Sequence, residues 1–113
     1  MRAFAGIREK ALGPNHPDVS YSLENLGAAL IGVRQPGQAI SHLERAIAIR
    51  LKEGAEAGDL AEPRFSLARA LWGAGKDHER ARALAAASLD GYTRAGQRAE
   101  ADKVSKWLAQ HPK

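Results

Sequence analysis

Leu23, Leu26, Leu30 and Val33 stand three or four residues apart, which places them on one face of a helix. Ile40, Leu43, Ile47 and Leu51 make a second stripe of the same kind, and Leu67 with Leu71 begins a third. Ala81, Leu84 and Leu89 form a fourth, and Ala101, Val104, Trp107 and Leu108 a last amphipathic face. No stretch alternates as a strand does. Between the stripes lie runs rich in glycine and proline: "LGPNHP" at 12–17, "RQPGQ" at 34–38, "EGAEAGD" at 53–59, "GAGKD" at 73–77 and "RAGQ" at 94–97. The pattern predicts an all-α chain of short-looped, antiparallel helical hairpins.

The hairpins repeat. Ile7, Arg8 and Lys10 recur as Ile49, Arg50 and Lys52, and "AISHLERAI" from Ala39 lines up with "ARALAAASL" from Ala81, both at an offset of 42 (49 against 7, 81 against 39). "LGAAL" at 26–30 pairs with "LARAL" at 67–71 one residue short of that offset, and the longer run "GAGKDHE" takes up the difference. A two-helix unit of about 40 residues is the mark of a solenoid.

Residues 18–52 resemble a tetratricopeptide repeat. Leu23, Leu26-Gly27 and Leu30 match the large, Leu-Gly, large pattern of its first helix. Ala39, Leu43 and Ala46 match the small, large, small pattern of its second. Gly27 and Ala39 remove side chains where two backbones must touch, and leucines fill the groove around that contact. Residues 61–95 keep Leu67, Ala68, Leu71 and Ala81 but depart at Arg64, Ala85 and Ser88. "GIREKALG" and "LGPNHPDV" ahead of "SLENLG" are similar to the kinesin-light-chain-like type found in bacterial proteins. The second unit and the end of the chain are also similar to the C-terminal arrays of large bacterial regulators, including serine/threonine kinases.

The resemblance implies a short right-handed superhelix in a single domain, 1–113. Residues 3–12 are expected as a second helix lacking its first, 18–52 and 61–95 as two full repeats, and 97–110 as a capping helix. With no cap expected at the N-terminal edge, the chain reads as the distal piece of a longer regulatory protein, or as one that pairs that edge with a second copy.

Composition narrows the function. Hydrophobic residues make up 44% of the 113 but aromatics only 5%, so small side chains must let helices lie close. There is no cysteine, which removes disulfides, thiolate metal sites and cysteine catalysis. The N-terminus lacks the pattern of a secretory signal, and no apolar run nears the roughly 20 residues of a membrane span, so a cytoplasmic protein is expected. The 17 basic residues are scattered among 13 acidic ones, an arrangement that solvates helix surfaces more readily than it follows a phosphate backbone. Nucleic-acid binding through these charges is an alternative; an enzyme, a cofactor and a metal are not expected.

His16-Pro17-Asp18 is the one dense patch of chemistry. It is the tripeptide of the J-domain, but the Tyr- and Lys-rich surroundings of that module are missing, and His42, His78 and His111 do not follow at ligand spacing. As joinery it is complete: Gly13 and Pro14 end one helix, Pro17 opens the next, and Asp18 lies at the positive end of its dipole. "GAGKD" lacks the wider spacing and following Ser or Thr of a phosphate loop.

The resemblance places binding on the first helices of the repeats, which line the groove of a tetratricopeptide superhelix. It implies a groove formed by Tyr21, Glu24, Asn25, Ala28 and Ile31, continued by Glu62, Phe65, Ser66, Arg69 and Trp72. Asn25 matches an asparagine that bonds the backbone of an extended peptide, a task for which its amide has both donor and acceptor. Arg69 would pair a carboxylate, and Phe65 and Trp72 would be aromatic anchors unless they pack between hairpins. Glu24 occupies a position where the clamp for chaperone tails needs lysine. The expected partner is a protein or peptide.

Overall fold

The computed structural model describes residues 16–112, which form five helices and, among these residues, no strand. They are α1 (Pro17–Gly32), α2 (Pro36–Lys52), α3 (Ala57–Gly73), α4 (His78–Arg94) and α5 (Arg98–Gln110). The expected partial repeat at 3–12 lies outside the described residues. Each helix packs against the next in the chain, and α1 also touches α3. Phe65 and Trp72 of α3 meet Trp107 of α5. The helices therefore form two layers, α1, α3 and α5 in one, α2 and α4 in the other.

The helix ends explain why the pairs turn back. Gln35, Ala55, Lys76 and Gln97 each donate their backbone N–H to the carbonyl five residues earlier, at 2.8–3.0 Å. The residue before each of them has positive φ: Arg34, Gly54, Gly75 and Gly96. This is the left-handed closure that satisfies the last carbonyls of a helix and reverses the chain in three or four residues. Arg34, at φ 63, does the work of a glycine without being one. The start of α1 is capped by His16, whose Nδ1 accepts the Asp18 N–H at 3.1 Å, and Pro17 is the first helical residue. "HPDV" is thus a helix start, with histidine as the cap. Gly13 and Pro14 lie outside the described residues.

The core is built from small residues at the helix crossings. Ala39, Ala46, Ala61, Ala68, Ala70, Ala81 and Ala85 are fully buried, with Leu23, Leu43 and Leu67 filling the space between them. A Cβ added to Gly27 would lie 2.6 Å from Leu43 Cγ, so this glycine is the contact that the sequence pattern predicts. The tighter approach is elsewhere. A Cβ on Gly91 of α4 would lie 2.3 Å from the Ala57 carbonyl oxygen, a backbone atom that cannot swing aside.

Helix α3 begins at Ala57, four residues ahead of the expected 61, and runs through Pro63. Its first turn belongs to the fold because Gly91 packs on it and Ser88 Oγ donates 2.7 Å to the Ala61 carbonyl. At the other end, Arg82 of α4 donates to the Leu108 carbonyl at 3.0 Å and to the His111 carbonyl, closing the C-terminus of α5. On the outer layer Arg80 and Glu44 join α4 to α2 at 3.2 Å, an exposed pair that adds little.

Two substitutions test these contacts by thermal unfolding. Gly91→Ala forces a methyl into backbone and should cost about 3 kcal/mol, lowering the midpoint by roughly 10 °C or more. A midpoint unchanged within a degree or two would mean the helices stand further apart. Arg34→Gly removes left-handed strain and should raise stability by about 0.5 kcal/mol.

Candidate functional site

One face of α1 is left open. Val19, Leu23 and Leu26 are buried, whereas Tyr21, Asn25 and Ala28, at i, i+4 and i+7, are exposed. Ile31 is half-buried against the core. On α3, Glu62 is exposed, Ser66 is buried, and Phe65, Arg69 and Trp72 are half-buried. The expected residues thus lie along two adjacent helices of one layer, but with different freedom.

Glu24 is not open to solvent. It is buried with Arg50 of α2, whose Nη2 pairs with its Oε2. The same guanidinium donates from Nε to Ser20 Oγ at 3.2 Å and from Nη1 to the Asp59 carbonyl at 3.0 Å. It also lies 4.3 Å from the centre of the Tyr21 ring. The Asp59 carbonyl has a reason to seek a donor. Pro63, four residues on, has no N–H to give it, so the helix cannot satisfy that oxygen itself. Arg50 supplies the missing bond and ties α1, α2 and α3 at one point.

Burial pushes the Glu24 carboxyl above the usual carboxylate range, and nearby Glu62 adds to the rise; Arg50 pulls the other way without cancelling the loss of water. Its Oε1 is buried with no hydrogen-bond partner among the described residues. Tyr92 of α4, buried as well, is pushed up to about 12, first by desolvation and then by Glu62, Glu100 and Glu24, with Arg69 opposing. These groups therefore share one electrostatic neighbourhood.

The far end of the layer is aromatic. His78 stacks on Trp72 at 3.9 Å, and His111 stacks on Trp107 at 4.2 Å. Trp72 meets both Trp107 and His111 edge-on, at 5.8 and 5.1 Å, and Phe65 meets Trp107 at 5.8 Å. Trp72 is held on several sides by rings of its own chain. Arg69 lies 5.4 Å from the centre of the Phe65 ring, with its Nε buried and without a hydrogen-bond partner among the described residues. The Glu24–Arg50 pair and the imidazole stacks were not foreseen from sequence; "IR" at both 7–8 and 49–50 marks Arg50 as a repeated position, a signal that existed.

A family model, the tetratricopeptide repeat, matches residues 2–52, the segment that contains α1 and α2. Residues 2–52 are tetratricopeptide repeat sequence. Helices α3 to α5 continue the same all-helical arrangement beyond the matched residues. No curated protein matches the chain. Tetratricopeptide repeats are in general protein–protein interaction modules without catalytic activity, and they typically bind protein partners. Among the described residues, no three His, Asp or Glu side chains are placed to share a metal ion, and no helix is long and apolar enough to cross a membrane.

Two measurements probe the buried pair. Arg50→Ala strands a carboxylate in the core and should cost roughly 3–5 kcal/mol, with part recovered when Glu24→Gln is added. The pH dependence has a definite sign. A carboxyl whose folded pKa is raised contributes stability below its unfolded value, and that contribution is lost as pH rises through the folded value. The difference in midpoint between the parent and Glu24→Gln should therefore move in the parent's favour as pH falls from 7 towards 4. A difference that moves the other way would mean that the Arg50 attraction outweighs burial.

Proposed function

We propose that this protein is a non-catalytic interaction module whose α1–α3 face takes an extended peptide segment of a protein partner. The observation that carries the reading is the strip Tyr21, Asn25 and Ala28, left exposed on a helix whose other face is fully used by the core. An exposed amide between an exposed tyrosine and an exposed alanine offers a donor and an acceptor at an accessible position. A peptide laid there could use both through its backbone, whatever its side chains. Arg69 and Phe65 continue the surface on α3, while Trp72 is committed to the aromatic cluster and lends shape to the end of the groove. The absence of cysteine suits a reducing compartment, and we read the module as a cytoplasmic arm of a larger bacterial regulatory protein.

Selection from a displayed library of random peptides tests this. The parent should enrich a family of peptides, and the Asn25→Ala/Arg69→Ala double variant should lose them by about tenfold or more while its helical circular dichroism is unchanged. Enriched peptides that bind the folded double variant as well as the parent would remove the groove from consideration.

A further inference from the structure

Helix α5 stands to α4 as α3 stands to α2. Each is entered through the same closure, Ala55 N–H to the Arg50 carbonyl and Gln97 N–H to the Tyr92 carbonyl, after glycines of positive φ at 54 and 96. The two helices start 41 residues apart (Ala57, Arg98), and at that offset buried Leu60 and Pro63 match buried Ala101 and Val104. On one flank α3 receives α4, running antiparallel, with Gly91 against the Ala57 carbonyl and Ser88 bonded to the Ala61 carbonyl. The matching flank of α5 receives no described helix. Arg98 and Asp102 take the places of Ala57 and Ala61 (98 against 57, 102 against 61), and both are exposed, as is Ser105 beyond them. These three side chains rim an open cleft of about 710 Å³ between α4 and α5, floored by Leu89 and Ala101.

The fold itself shows what occupies such a place: a helix. The two flanks differ in chemistry, however. Alanines let α4 lie close on α3, whereas a helix laid on α5 covers a cation and an anion and has to meet both. Arg98 and Asp102 stand four apart with the cation first, the weaker order, and neither has an ion pair among the described residues. Positions 57 and 61 face 91 and 88, so four residues along the receiving helix match three along its antiparallel neighbour. We infer that the α4–α5 cleft binds an amphipathic helix of a protein partner, antiparallel to α5. Its apolar side rests on Leu89 and Ala101. It carries Lys or Arg facing Asp102, and Asp or Glu three residues further on facing Arg98. These longer side chains hold the two axes further apart than those of α3 and α4. The surface shares no residue with the α1–α3 face, so either site can fail without the other.

The α4 sequence supplies the probe. Two labelled 17-residue peptides span 78–94, the first with Ser88→Lys and Gly91→Glu, the second with Ser88→Glu and Gly91→Lys. Neither can displace α4 from α3, where both positions are closed to a longer side chain. By fluorescence anisotropy at low salt, the first peptide should bind the protein about fivefold tighter or more than the second. The exchanged variant Arg98→Asp/Asp102→Arg, altered only at exposed positions, should keep its helical circular dichroism and prefer the second peptide. Equal binding of the two, no binding of either, or a preference that survives the exchange overturns the inference. Binding of the first peptide lost in Asn25→Ala would place it in the α1–α3 groove and overturn it as well. Sedimentation equilibrium showing a dimer that Asp102→Arg dissociates would give the cleft to a second copy in place of a partner's helix.

Discussion

The guanidinium of Arg50 is the constraint on which the first three helices depend. It satisfies a carboxylate on α1, a hydroxyl on α1 and a backbone carbonyl on α3 from a position on α2. None of these groups could be left unmet in the interior at small cost. The Asp59 carbonyl exists as an orphan only because Pro63 interrupts the bonding of α3, so a proline on one helix and an arginine on another form a single device. A buried ion pair is weak evidence for net stability, since desolvation offsets much of the attraction. What it does supply is position: a hydrophobic contact between α1 and α3 could slide, whereas a planar fork with three separate acceptors fixes the helices relative to one another.

Around that point the fold is economical. Four helix ends use one closure, and where three of them place glycine in the left-handed conformation the first uses Arg34. The crossings are lined with alanine and glycine, so attraction between helices comes from close backbone approach and from leucines between the seams. Such a core leaves little large apolar surface over. Aromatic contacts gather instead where α3 meets α5: Trp72, Trp107, Phe65 and two imidazoles lock α5 onto α3 and α4.

Stripe and breaker patterns made the five helices, their antiparallel pairing and the Gly27–Leu43 seam legible in the sequence, because periodicity and glycine placement are local signals. The contacts that set geometry were not local. Gly91 reads as an ordinary glycine near a helix end until the Ala57 carbonyl is found against it. Ser88 and Ala85 read as departures from the repeat, yet Ser88 bonds the Ala61 carbonyl and Ala85 is fully buried at a crossing. The first four residues of α3 read as loop in the sequence because the run holds two glycines and a later proline; tertiary packing and Arg50 hold it helical. For the candidate site, the resemblance to a tetratricopeptide repeat implied Tyr21, Asn25 and Ala28, and all three are exposed. The burial of Glu24 was not implied, since its partner lies 26 residues away on another helix.

That burial changes what the open face can be. A groove whose glutamate were free would select its ligand by exposed charge, with little energy in each contact. Here the carboxylate beside the Arg50 fork is already desolvated and paired through one oxygen, while Glu62 on α3 stays exposed. The same arginine that holds α1 to α3 therefore also removes Glu24 from the charge that the face presents, which couples the stability of the helical pair to the chemistry of that face.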